Sequence, residues 1–197
     1  MVLGELGLDG SVRSVSGVLS SVIMARKEGF TTCILPADNL EEARNIDGIK
    51  LVGIGTLQEL VEYCRHPKSY TPPQTGNRAA CTAKTVPDFA DINGQEEVKR
   101  AAVLSAAGFH NLLMIGPPGS GKTMTASRIP GLLPDMTREE SLEVTQIYSV
   151  AGQLPPQASL ICHRPFRAPH HTISPQALAG GGRIPTPGEI TLAHRGV

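Results

Sequence analysis

Leu112-Leu113-Met114-Ile115-Gly116-Pro117-Pro118-Gly119-Ser120-Gly121-Lys122-Thr123 is the stretch that decides the fold. A compact apolar run of strand type leads directly into GxxxxGK[ST], the pattern that wraps backbone around a phosphate tail. In a chain of 197 residues, chance occurrence of that pattern is on the order of one per cent at average glycine usage. Each residue type has a physical task. Gly116, Gly119 and Gly121 let successive N–H groups turn inward, where the positive end of the next helix adds its field. Pro117, Pro118 and Ser120 complete the loop. Lys122 reaches the β- and γ-phosphates as a compact charge, and Thr123 gives its hydroxyl to the Mg²⁺ that bridges them. The expected cofactors are ATP and Mg²⁺, held at the carboxyl end of a strand in an α/β unit. Pro130-Gly131 makes the following helix short.

Hydrolysis requires more. P-loop enzymes place an acid at the end of a second apolar strand, with a neighbouring Glu to prepare the attacking water. No run of four apolar residues followed by Asp-Asp or Asp-Glu occurs here, so no catalytic residue is assigned. Glu189-Ile190-Thr191-Leu192-Ala193-His194-Arg195-Gly196-Val197 is expected to stop where such a strand would begin, leaving the catalytic acids beyond it.

Upstream, residues 1–65 alternate short apolar runs with helical periodicity. A strand ending near Leu6, a Leu8-Asp9-Gly10-Ser11 turn and Val12–Val15 form a hairpin. Val18, Leu19, Val22, Ile23 and Ala25 make a helical stripe that Gly29 ends. Thr32–Leu35 and Leu51–Ile54 are strands. Asp38 with Glu41, and Thr56 with Glu59, have capping-box spacing for two further helices. Residues 66–87 carry Pro67, Pro72, Pro73 and Pro87 among polar residues and mark a linker. Residues 88–197 form the second domain, with a helix from about Gln95, introduced by Asn93 and Glu96 and closed by Gly108.

Composition sets outer limits. With 40% apolar and 4% aromatic residues the chain buries one ordinary core or two small ones. No apolar run reaches the roughly 18 residues that a bilayer helix needs, and no signal-peptide pattern opens the chain. Cys33, Cys64, Cys81 and Cys162 lack a CxxC pair, which points to reduced thiols in the cytoplasm. Lys+Arg and Asp+Glu balance at 18 each, but two stretches are free of acids. One holds Arg65, Lys68, Arg78 and Lys84; the other holds Arg164, Arg167 and Arg183 with His163, His170 and His171. Either solvated surface or a nucleic-acid face fits them. Cys162-His163 and His170-His171 are metal ligands by type, though their spacing matches no zinc pattern; loop packing is the alternative. Arg183 sits in a glycine loop that is either simply flexible or a phosphate contact.

The loop's flanks, "DFADINGQEEVKRAAVLSAAGFHNLLMIG" and "HRPFRAPHHTISPQALAGGGRIPTPGEITLAHRGV", resemble the magnesium-chelatase-like AAA+ ATPases of the YifB/ComM type. Nearly the whole chain takes part in the likeness. The resemblance implies a partial P-loop AAA+ domain over 88–197, ending before the Walker B strand, in an internal segment of a longer protein. It implies that Asp91-Ile92-Asn93-Gly94-Gln95 lies near adenine, with Ile92 as a base contact. It also implies self-association into a ring, a hexamer, that remodels or branch-migrates DNA, or alternatively the motor of a magnesium-chelatase-like complex. A chain that binds nucleotide without turnover is the third possibility. Residues 1–65, with "GELGLDGSVRSVSGVLSSVIMARKEGFTTCILPADN", resemble the C-terminal half of a Lon-protease-like domain. There Leu19 occupies the catalytic lysine's position, and the serine would lie upstream of Met1, so the resemblance implies a scaffold rather than a peptidase.

Overall fold

The computed structural model describes residues 1–68, 87–154, 160–183 and 185–197. They divide into two compact units, the first formed by Met1–Thr82 with Leu142–Ile161, the second by Ala83–Ser141 with Cys162–Val197. Helices mixed with small sheets give both an α/β character. The linker read from the sequence falls largely outside the described residues.

In the first unit, β1 (Glu5–Leu6) pairs antiparallel with β2 (Val12–Arg13). Asp9 makes the turn, its Oδ1 accepting from the Ser11 amide at 3.1 Å and hydroxyl at 2.6 Å. Helix α1 (Val18–Lys27) follows, and Gly29 at φ +82 ends it as glycine's conformational freedom allows. β3 (Thr32–Pro36) and β4 (Lys50–Ile54) pair in parallel, with Val2 bridging to Ile34 on the other side. Alternation along β3 covers both faces. Cys33 and Leu35 join Val18, Leu19, Val22, Ala25, Leu40, Ala43 and Ile46 in the larger core, while Ile34 joins Val52 and Ile54 in a second. Covered faces are what a parallel pair requires.

Helix α2 (Leu40–Ala43) differs from the sequence reading. Asn39 stands at its N-cap without a side-chain capping bond, so the Asp38–Glu41 capping box does not form. The Asn39 carboxamide instead accepts from the Val15 amide and donates to the Val15 carbonyl, both at 3.0 Å. Helix α3 (Leu57–Arg65) has the expected cap: Thr56 Oγ1 accepts from the Glu59 amide at 3.2 Å, and Glu59 Oε2 accepts from the Gly55 amide at 2.7 Å.

In the second unit, a 3-10 turn over Phe89–Asp91 leads to α4 (Glu96–Gly108). The cap predicted at Asn93 is displaced, because Gly94 and Gln95 both adopt left-handed backbone and Gln95 becomes the N-cap. α5 (Lys122–Ala126) begins at the end of the glycine loop, and the 3-10 turn at Ile129–Leu132 limits it as Pro130 requires.

Helix α6 (Arg138–Val150) is an element the sequence reading missed. Its signal was Thr137-Arg138-Glu139-Glu140: Thr137 Oγ1 accepts from the Glu140 amide at 3.2 Å and Glu140 Oε2 from the Thr137 amide at 3.1 Å. From Leu142 onward its residues cluster with the first unit. α7 (Pro175–Ala179), the two-residue pair β5 (Gly180–Gly181) and β6 (Thr186–Pro187), and α8 (Glu189–Leu192) complete the second unit. α8 lies inside Glu189–Val197, the stretch read as ending where an apolar strand would begin.

The strand expected at Leu112–Ile115 is not found: the segment belongs to no helix or sheet among the described residues. Along it Leu112 and Met114 are half-buried, whereas Leu113 and Ile115 are 82% and 89% exposed. A strand is defined by the ladder that satisfies its amides, and no described segment supplies one here.

Candidate phosphate-binding site

Gly119 and Gly121 take φ +80 and +83, values that an L side chain rarely adopts, so both glycines are demanded by the loop's shape. Gly116 sits close beneath the loop: a β-carbon there would lie 3.2 Å from Ser120 Oγ, so that side chain would have to give way, and 4.0 Å from Lys122 Nζ. The loop is thus folded tightly over its own lysine. Lys122 Nζ donates to the Gly116 carbonyl at 2.7 Å, the Pro117 carbonyl at 2.6 Å and Ser120 Oγ at 3.0 Å. Three oxygens surround an ammonium that is half-buried, an arrangement with the chemistry of a phosphate's oxygens around the same cation.

Gly116, Pro117, Pro118, Gly119 and Thr123 are exposed, and Thr123 is not among the residues lining the adjoining cavity. Gln95 Nε2 donates to the Ser120 carbonyl at 3.2 Å. A cavity of about 670 Å³ adjoins the loop, lined on the α4 side by Gln95, Glu96, Glu97 and Val98 and on the other by Leu112–Ile115, Gly116, Pro117 and Lys122. Helix α5 spans only five residues, so the field expected from it is small and the loop amides with Lys122 carry the electrostatics.

Arg128 anchors the far end of α5. Its guanidinium donates to the Asp88 carbonyl at 2.9 Å, the Met124 carbonyl at 3.0 Å and Asp91 Oδ2 at 3.2 Å. The segment around Asp91 is thereby held to the helix that leaves the loop. Ile92, read from the sequence as a base contact, is only 2% exposed and is not among the residues lining the cavity. Its side chain packs inward.

The basic residues of 144–188 do not form one patch. Arg164 donates to the Pro134 and Arg195 carbonyls at 2.7 and 2.8 Å, with Glu140 Oε2 3.4 Å away. Arg167 forms a two-pronged pair with Glu189, both contacts 2.6 Å, which holds the Glu189 carboxyl below its ordinary range. Arg183 is exposed between β5 and β6. His170 Nδ1 lies 2.7 Å from Thr172 Oγ1, and its ring is 4.1 Å from that of His171. No group of three or more His, Cys, Asp or Glu able to hold a metal occurs among the described residues. Cys33 and Cys64 are free thiols, and burial pushes the Cys33 thiol up. Cys162 is disulfide-bonded, against the reading of four reduced thiols; Cys81 lies outside the described residues. No described helix is long and apolar enough to cross a membrane.

A family model described as magnesium chelatase, subunit ChlI, matches residues 88–197, and a second, subunit ChlI of Mg-chelatase, matches residues 1–39. The chain belongs to the magnesium-chelatase ChlI family. Within that family it is YifB/ComM-like: YifB of Escherichia coli is 43% identical over 196 residues, covering 100% of this chain and 38% of YifB. The competence protein ComM of Haemophilus influenzae is 40% identical over 202 residues, covering 99% of this chain and 38% of ComM. A Mycobacterium tuberculosis protein, Rv2897c, is 47% identical over 198 residues, covering 100% of this chain and 39% of that protein. The chain thus spans about two fifths of the length of these ChlI-family relatives. The family is one of AAA+-type ATPases, which puts Gly116–Thr123 in a protein class built around nucleotide use.

Proposed function

We propose that Gly116, Pro117, Pro118, Gly119, Ser120, Gly121, Lys122 and Thr123 bind the phosphates of ATP. The observation that carries the reading is the cluster of three loop oxygens, 2.6–3.0 Å away, around Lys122 Nζ. Such an ammonium exchanges loop oxygens for phosphate oxygens without leaving its place. The glycines at 119 and 121 allow the amides to follow. Thr123 is placed one residue after Lys122 with its side chain exposed, and would hold Mg²⁺ on the β- and γ-phosphates. The metal's contribution when bound is to neutralise charge on those phosphates.

The intact protein, in this reading, is a ring-forming, hexameric ATPase that remodels or branch-migrates DNA. Support comes from the flanking motifs shared with the YifB/ComM type and from Arg183, exposed at a hairpin turn and suited to a phosphate contact. Residues of the first unit act as a Lon-like scaffold: Leu19, at the position of the catalytic lysine, has 0% exposure in the core. A second reading, the motor of a magnesium-chelatase-like complex, is favoured by the family description over 88–197.

The 197-residue chain by itself binds nucleotide without turnover, since it contains no apolar run ending in paired acids. The test measures phosphate release by this chain and by the full-length protein, each with and without branched DNA. The chain should match the blank, and the full-length protein should hydrolyse ATP faster with DNA. Turnover by the chain alone overturns the binding-only reading; DNA-independent turnover by the full-length protein overturns the DNA reading and leaves the chelatase motor.

A further inference from the structure

Gln95 stands in left-handed backbone at φ 56, ψ 44, directly after Gly94 at φ 67. A side chain is strained in that region, and glycine would occupy the position freely. Glutamine's presence there therefore calls for a use of the carboxamide. That use is visible across 25 residues of sequence, where Nε2 donates to the Ser120 carbonyl at 3.2 Å. The same nitrogen would lie 3.4 Å from a β-carbon built on Gly121, so the carboxamide is packed directly against this peptide.

The peptide joining Ser120 to Gly121 is planar and trans, as no described peptide bond is cis. Its carbonyl and its N–H lie on opposite edges of one rigid plate. Holding the Ser120 oxygen therefore fixes the direction of the Gly121 N–H. We propose that Gln95 is a positioning residue for the loop: it sets the Ser120–Gly121 peptide so that the Gly121 amide is preorganised for a phosphate oxygen. The strained backbone at Gln95 aims the carboxamide, and α4, which begins at the next residue, anchors it.

This inference rests on the reading of residues 116–123 as a phosphate loop. The test is isothermal titration of the 197-residue chain with Mg-ADP, for wild type, Gln95→Gly and Gln95→Glu, together with nucleotide-free thermal melting. Gln95→Gly removes the carboxamide and relieves the backbone strain at once. Its melting temperature should stay level or rise while its Kd for Mg-ADP weakens roughly three- to tenfold, the worth of one neutral hydrogen bond. Gln95→Glu has no N–H to donate and adds negative charge beside the phosphates, so it should bind more weakly still. Unchanged affinity in Gln95→Gly overturns the proposal while the loop reading stands. Affinity lost together with melting temperature also overturns it, since Gln95 would then be a structural cap. Absence of saturable binding by folded wild type overturns the loop reading and this proposal with it.

Discussion

Replacing Ser149 by Ala tests how the end of α6 is held in the first unit. Glu42 is 6% exposed; its Oε1 accepts from Asn39 Nδ2 at 2.7 Å and its Oε2 from Ser149 Oγ at 2.8 Å. Asn39 in turn holds both backbone groups of Val15. Ser149→Ala deletes one hydrogen bond to a charged oxygen that water does not reach, which costs about 1.5–3 kcal/mol. Near the middle of that range, about 2 kcal/mol lowers Tm by roughly 8–16 °C in a domain of this size. Glu42→Gln keeps the shape, and its new Nε2 can donate to the serine oxygen, so it should lose less than about 1 kcal/mol. Trp is absent, which makes far-UV circular dichroism during urea unfolding the natural probe, with equal m values confirming a like-for-like comparison. A Ser149→Ala midpoint within about 0.3 kcal/mol of wild type would refute both the bond and the packing of Ser149 against Glu42.

Leu19→Lys puts an amine into a core position with no exposed surface; it should destabilise the first unit by at least about 3 kcal/mol and yield no peptidase activity on a casein substrate. Thr123→Ala should weaken Mg-ATP binding roughly tenfold while leaving binding in EDTA unchanged, as read by titration in the two buffers. Arg167 lowers the Glu189 carboxyl below its ordinary value of 4.5. The stabilisation from this partly exposed pair is complete above that value and is lost as pH falls through the lower folded value. Arg167→Ala should therefore cost at most about 1 kcal/mol at pH 7 and flatten the stability loss of wild type below about pH 4.5 in acid melts.

The legible parts of the fold were those written in local periodicity. The α1 stripe, β3, β4 and the Thr56 cap are all found where the sequence places them, because neighbouring residues decide them. Misreadings arose where a side chain had a distant partner. The Asp38–Glu41 box does not form, and Asn39, which stands at the α2 N-cap, has its carboxamide bonded to Val15 and Glu42; the α4 cap lies at Gln95, whose side chain reaches Ser120 in the loop. Leu112–Ile115 reads as a strand from its apolar run but forms none among the described residues, because a ladder is a relation between segments that no single run encodes. The left-handed turns at Gly119 and Gly121 were legible, since the spacing specifies where glycine stands in the loop. The contacts of Gln95 with Ser120 and of Arg128 with Asp88 were not legible, as they join segments 25 and 40 residues apart.

Fluorescence titration of folded 197-residue chain with labelled ATP and Mg²⁺, alongside Lys122→Ala, tests the central claim most directly. Saturable uptake in the wild type is expected, with Kd raised roughly 10- to 150-fold in the variant, the loss of a charged hydrogen bond. Equal uptake by both proteins, or none by either, would contradict it.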